Sequence, residues 1–155
     1  MARAQAQYLR IYEGSFTHRR WQNKYINSTV TWAGGPWSFL DFNCEGLTDG
    51  ADSDEGGLSI TLPATPEAIA EVEAALALTR LVEITVYEFD ELQPGATIAP
   101  LPDQVVVASH IGEVVGASGV LERLTIEIGT SLTPIGAQIP PRMFTSRLVG
   151  VPCKL

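Results

Sequence analysis

Apolar and polar residues alternate along much of the chain, and this spacing predicts a protein built mainly from β-strands. Residues 57–63, GLSITLP, alternate and stop at a proline, and residues 81–89, LVEITVYEF, alternate again. Residues 28–43 hold two β-rich runs around Gly34-Gly35-Pro36, which predicts a hairpin. Residues 105–129 are typical of a meander, with a turn expected at the GASG stretch.

One helix is predicted between these strands, at about residues 66–78. Thr65 is a suitable N-cap, and Pro66 occupies the first helical position, where its missing N–H costs nothing. An apolar stripe at helical spacing is expected to pack on the core; it consists of Ile69, Val72 and Leu76. We therefore expect an α+β, mainly β fold: a curled antiparallel sheet or small barrel covered by one helix.

Length and composition narrow the class of protein. The 155 residues suffice for one domain, and only 18% of them are charged. Such a sparsely charged surface indicates either that a partner covers part of it or that the surface is simply poor in charge, and both readings stay open. No apolar run reaches the roughly 18 residues of a membrane span, and the first residues lack a secretory signal, so we expect synthesis in the cytosol without membrane insertion.

Charge is distributed unevenly along the chain. Residues 1–24 and 128–155 are basic, whereas the middle is strongly acidic and brings the net charge to −8. An acidic middle repels phosphates, which argues against nucleic acid as a partner. We interpret 1–24 as a basic N-terminal segment, 25–138 as a barrel-like core domain and 139–155 as an extended C-terminal arm, because Pro140-Pro141 breaks regular structure. The alternative is that 139–155 folds back as a terminal strand of its own domain.

The sequence offers little catalytic chemistry. His18 and His110 are the only histidines, Cys44 and Cys153 are the only cysteines, and no nucleotide-binding, zinc-binding or nucleophile motif is present. We therefore predict a non-enzymatic protein with no catalytic, cofactor-binding or metal-binding residues. The acidic loop 45–55 lacks the spacing of a helix-loop-helix calcium site, so we interpret it first as a solvated turn. The alternatives are that it binds calcium or that it accepts the arginines of a neighbouring copy.

A resemblance gives these elements a context. In order, GLSITLP, TPEAIAEVEAALAL, VEITVYEFD and VLERLTIEIGTSL resemble the barrel domain of phage tail-tip hub proteins, the family of the lambda-type minor tail protein L. The ending PPRMFTSRLVGVPCKL is similar to an extended exit segment of related tail proteins. Hub proteins of the lambda kind carry a cysteine-rich region for an iron–sulfur cluster, which needs about four thiolates. Cys153 alone cannot supply them, so no cluster is expected.

The resemblance implies a structural subunit of the virion, in a tail tip or baseplate hub that links the tail tube to tip proteins. It favours a homo-oligomer, a trimer first and a hexamer as the alternative, together with contacts to other tail proteins. Basic and apolar residues near both ends are the expected interface: Arg19, Arg20, Arg142, Met143, Phe144, Arg147, Leu148 and Lys154. Two rival functions stay open, a tail terminator or head–tail connector ring and a small-molecule-binding β-barrel. In the latter a pocket would be lined by Trp21, Trp32, Trp37, Phe39 and Phe42.

The arm hypothesis makes a direct prediction. Removing residues 139–155 should leave the domain folded and defective only in assembly, because the double proline marks an exit from the last strand. Far-ultraviolet circular dichroism and thermal melting of the shortened chain measure this. Loss of the cooperative melting transition would instead assign the segment to the core.

Overall fold

The computed structural model describes residues 3–24, 28–47, 58–94, 100 and 104–130. Within these residues the chain forms nine strands and one helix. The elements are β1 (Arg3–Glu13), β2 (Phe16–Gln22), β3 (Val30–Trp32), β4 (Gly35–Phe39), β5 (Asn43–Glu45), β6 (Leu58–Pro63), α1 (Pro66–Ala77), β7 (Leu81–Asp90), β8 (Val105–Val120) and β9 (Arg123–Thr130). Most of the acidic loop, parts of the 91–104 loop and the whole predicted arm 139–155 lie outside the described residues.

The nine strands form one sheet in the order β3-β4-β2-β1-β7-β8-β9-β6-β5. All neighbouring pairs are antiparallel except β2 and β4, which pair in parallel through Trp21–Ser38 and Gln22–Phe39. The sheet is curled and open, with β3 at one edge and β5 at the other. The prediction of an α+β, mainly β fold is thus confirmed. Of the two predicted alternatives, a curled sheet and a small barrel, the structure shows the curled sheet, and it is open. Among the described residues, no helix is long and apolar enough to span a bilayer.

The basic N-terminal segment contributes two central strands to this sheet. β1 pairs with β2 along one edge and with β7 along the other. Leu9 and Ile11 of β1 are fully buried in the main core cluster. The core therefore includes much of the 1–24 segment and begins well before residue 25.

The helix starts as the sequence predicts but turns a different side to the sheet. Thr65 Oγ1 accepts a hydrogen bond from the Ala68 backbone N–H at 3.2 Å, which caps the first turn. Val72 is buried as expected, yet Ile69 and Leu76 are 37% and 42% exposed. The buried residues are Ala68, Val72 and Ala75.

The sizes of the facing side chains explain this rotation of the helix. The sheet already fills the space with large residues that are fully buried, such as Ile60, Ile84 and Ile126. Small alanine side chains on the helix complement them at native packing density. The predicted core stripe was therefore wrong for Ile69 and Leu76 and correct for Val72. Hydrophobic periodicity alone does not show how much space the opposing surface leaves for each side chain.

Two turns illustrate how local and long-range constraints differ. The β3–β4 hairpin is confirmed, and its two-residue turn is Ala33-Gly34, both with positive φ (37° and 95°), as a right-twisted hairpin requires. The turn predicted at residues 116–119 was wrong, because β8 continues to Val120 and turns at Leu121-Glu122. Those glycines lie in the β8–β9 ladder beyond a bulge between Val114 and Gly116.

The helix packing leads to a stability prediction. Ala75→Leu should lower the free energy of unfolding by about 1–3 kcal/mol, because Ala75 is fully buried and a larger side chain overpacks the site. Ala70→Leu is the matched control on the exposed side of the same helix and should change it by less than about 0.5 kcal/mol. Urea unfolding of both variants measures the difference; equal effects would contradict the observed helix orientation.

Candidate functional site

The face of the sheet opposite the helix carries a second, aromatic cluster. The β1–β7 register pairs Ala6 with Tyr87, Tyr8 with Thr85 and Arg10 with Glu83, so these side chains share that face. The β3–β4 hairpin adds Trp32 and Trp37 to the same cluster. Two distant parts of the chain therefore meet here.

A polar network fixes the segment that leads to this hairpin. The Asn23 side chain accepts from the Gln7 backbone N–H at 2.7 Å and donates to Phe42 O at 3.0 Å and to Gln7 Oε1 at 3.1 Å. The fully buried Gln22 donates through Nε2 to Ser28 O at 3.0 Å and accepts from the Lys24 backbone N–H at 2.5 Å. These amides satisfy backbone groups of the chain on both sides of the hairpin.

Between the hairpin and the two strands lies a cleft of about 200 Å³. Its aromatic walls pack edge to face, with ring centroids 5.1 Å apart for Tyr8–Trp37, 5.3 Å for Tyr8–Tyr87 and 5.9 Å for Trp32–Tyr87. Trp37 Nε1 also donates to Trp32 O at 2.6 Å, which ties the two sides of the hairpin together. The residues that line the cleft are Tyr8, Arg10, Trp32, Ala33, Trp37, Glu83, Thr85 and Tyr87.

An ion pair supplies the polar part of this aromatic cleft. Arg10 Nη2 lies 2.7 Å from Glu83 Oε2, and the Arg10 guanidinium also lies over the Tyr12 ring at 4.2 Å from its centroid. Both side chains are about one-third exposed, so they are reachable from the cleft. Burial raises the pKa of Tyr8 to about 12, so its hydroxyl stays protonated at neutral pH. The cleft therefore combines aromatic walls with a neutralised charge pair.

A second surface feature lies beside the cleft on the same face. We call Val106, Ile111, Val115 and Val120 the β8 stripe; these four side chains are exposed by 52%, 43%, 62% and 74%. Ile111 pairs in register with Glu83, which fixes its position next to the cleft. Val115 lies against Gly129, where an added Cβ would come within 2.7 Å of Val115 Cγ1. Aliphatic side chains thus follow one strand along its solvent-facing side.

The residues predicted as an interface fall into two groups. Arg19 contacts Glu67 and Glu71 of the helix, with 3.0 Å between its Nε and Glu71 Oε1. Arg20 lies against the hairpin, where a Cβ on Gly35 would be 2.9 Å from its Nη1. Their role between copies remains a prediction. The remaining six residues lie outside the described part of the chain: Arg142, Met143, Phe144, Arg147, Leu148 and Lys154.

The residues expected to line a pocket are only partly brought together. Trp32 and Trp37 line the cleft, whereas Trp21 and Phe42 belong to the helix-side core and Phe39 is half-buried outside the cleft lining. Sequence reasoning missed the strand residues Tyr8, Arg10, Glu83 and Tyr87. Alternation within each strand could have grouped Tyr8 with Arg10 and Glu83 with Tyr87, but the pairing of β1 with β7 joins opposite halves of the chain.

No catalytic arrangement emerges from the described histidines and cysteine. His110 sits on β8 and Cys44 on β5, with β9 and β6 between them in the sheet. Burial, with a smaller contribution from the Glu45 carboxylate, raises the pKa of the Cys44 thiol to about 12. In the part of the chain that the structure covers, no three His, Cys, Asp or Glu side chains gather as metal ligands. The aromatic cleft and the β8 stripe are therefore the features on which a function can be argued.

A scan against known protein families and a search of curated proteins find no match to this chain. The function is therefore argued from the residues and geometry themselves.

The environment of Cys44 predicts an unreactive thiol. In a Cys153→Ser chain, iodoacetamide at pH 8 should alkylate Cys44 at least about ten-fold more slowly than free cysteine, because the thiolate is the nucleophile and burial disfavours it. Mass spectrometry over time measures the rate, and the same chain in denaturant is the control. Alkylation as fast as that of the unfolded chain would contradict the buried position.

Proposed function

We propose that this protein is a non-enzymatic structural subunit that assembles with other chains through the β8 stripe. The observation that carries the proposal is the run of exposed aliphatic side chains along a single strand. Exposed apolar side chains grouped on one face mark sites of protein–protein contact more often than scattered ones do. The stripe lies on the face opposite the helix, so a partner can cover it without disturbing the main core.

The dimensions of β8 suit an extended interface. Its 16 residues span about 50 Å at the usual rise of a strand. A stable interface buries about 800 Å² on each partner, more than four side chains supply. Neighbouring polar residues on the same face, among them Ser109 and Glu127, would form the rim around the aliphatic centre. Burial of the stripe supplies affinity, while rim charges set orientation.

The order of elements in the sequence suggests where such an assembly would act. Strand β6, helix α1 and strands β7 and β9 correspond to the four segments that resemble tail-tip hub proteins of long-tailed phages. We therefore propose a homo-oligomeric ring in the virion tail, in contact with other tail proteins, with a trimer favoured and a hexamer as the alternative. The predicted arm, residues 139–155, would add contacts between neighbouring subunits.

A charge introduced into the stripe tests assembly. Val115→Lys should keep the protein monomeric at concentrations where the unmodified chain associates, because a buried unpaired ammonium opposes docking. Ala70→Lys places the same charge on the exposed side of the helix and should associate normally. Sedimentation velocity from about 1 to 100 μM compares the three chains. A single monomeric species throughout for the unmodified chain would contradict self-assembly.

The location within a virion needs a separate experiment. An antibody against the purified protein should label isolated phage tails at their distal end, as seen by electron microscopy. Labelling at the head-proximal end would favour a terminator or connector ring, and absence from purified particles would contradict a virion role.

A further inference from the structure

The geometry points to a binding site for a neutral sugar ring in the aromatic cleft between the β3–β4 hairpin and strands β1 and β7. This inference is independent of the assembly proposal, because it rests on the cleft and on none of the β8 stripe residues. Three observations carry it: an ion pair that is reachable from the cleft, aromatic walls and the size of the cleft.

The ion pair offers a ligand both an acceptor and donors. Glu83 Oε2 lies 2.7 Å from Arg10 Nη2, and an ionised carboxylate offers about four lone-pair sites, so Glu83 retains acceptor capacity beside this contact. A ligand that bonds to both members of the pair must donate to Glu83 and accept from the Arg10 guanidinium. A hydroxyl group does both, and a sugar ring presents several hydroxyls at fixed directions.

The ion pair also selects against charged ligands. Arg10 and Glu83 lie 2.7 Å apart and cancel each other's charge within the cleft. An anion would compete with Glu83 for Arg10 and would be repelled by the Glu83 carboxylate. A cation would compete with Arg10 for Glu83 and would be repelled by the guanidinium. A neutral polar ligand keeps the pair intact and adds charge-assisted hydrogen bonds to it.

The aromatic side chains provide the remaining, apolar contact. Trp32 and Tyr87 are half-buried, so part of each ring borders the cleft, and their packing against Tyr8 and Trp37 holds them in place. The C–H side of a sugar ring is apolar and packs on such rings, while its hydroxyls reach the ion pair. A cleft of about 200 Å³ accommodates one such ring rather than a larger ligand.

The experiment titrates the full chain with single sugars and follows the indole N–H signals by two-dimensional NMR. The neutral probes are D-glucose, D-galactose, D-mannose and N-acetyl-D-glucosamine. At least one should shift the Trp32 indole signal saturably, with a dissociation constant on the order of 1 mM, as expected for a ligand of about a dozen heavy atoms. The Trp21 signal, in the helix-side core, should not move.

Charged analogues and matched variants locate the site. If D-glucose binds, D-glucuronate and D-glucosamine should bind at least about ten-fold more weakly, because each disturbs the ion pair. Glu83→Gln should weaken binding by about ten-fold or more, whereas Glu88→Gln, which removes a β7 carboxylate that pairs with Arg3 outside the cleft, should leave it unchanged. Trp32→Ala removes an aromatic wall, identifies the indole signal and should also weaken binding.

Three results would overturn the inference. The first is the absence of saturable shifts with all four neutral sugars at about 50 mM, a concentration well above the expected constant. The second is unchanged affinity in both Glu83→Gln and Trp32→Ala, provided that their melting curves match that of the unmodified chain. The third is saturable binding of tetramethylammonium in the cleft without any sugar binding, which would identify a cation cage instead.

Discussion

The described fold depends on β1, a strand that is buried on both faces and paired along both edges. Leu9 and Ile11 face the helix-side core, while Ala6 and Tyr8 face the aromatic cluster. Antiparallel sheets commonly leave one face to water, and their strands then alternate apolar with polar residues. β1 departs from that pattern because it separates two apolar clusters. Its neighbours β2 and β7 are held in register by it. β7 brings residues to both clusters and to the cleft, whereas β2 adds Trp21 to the helix-side core.

Polar groups hold the β3–β4 hairpin beside β2 at one edge of the sheet, where it completes the second cluster. Asn23 and Gln7 bond to each other and to backbone atoms on either side of the hairpin, including Cys44 N at 3.2 Å from Gln7 Oε1. Gln7 and Asn23 are half-buried, so removal of either side chain leaves its partners short of a hydrogen bond. These amides and the buried Gln22 thus help to place the hairpin that carries Trp32 and Trp37, and the aromatic contacts pack the walls of the cleft.

The sequence predicts features that depend on neighbours along the chain. The N-cap at Thr65, the proline at the helix start and the two-residue hairpin turn all follow from local chemistry, and the structure confirms them. The side of the helix that is buried depends on the volume of sheet residues such as Ile84, which a helical period cannot register. The extension of β8 through Gly116 and Gly119 likewise depends on pairing with β9, which overrides the turn preference of glycine.

The candidate site was the harder part to anticipate for the same physical reason. Trp32 and Trp37 stand close together in sequence and could be grouped, but Arg10 and Glu83 become partners only when β1 and β7 pair. Long-range register therefore decides both the charge balance and the hydrogen-bonding capacity of the cleft.

The register also places the two proposed binding surfaces side by side. Ile111 of the β8 stripe is the direct cross-strand neighbour of Glu83, whose carboxylate holds Arg10 in the cleft. A partner that covered Ile111 would therefore border the ion pair. Because electrostatic contacts strengthen as water is excluded, docking on the stripe and occupation of the cleft would then influence each other's affinity. By linkage that influence is reciprocal. If a ligand in the cleft stabilised the assembly, the assembled protein would bind that ligand more tightly than the free subunit does, and the converse holds for a ligand that destabilised it.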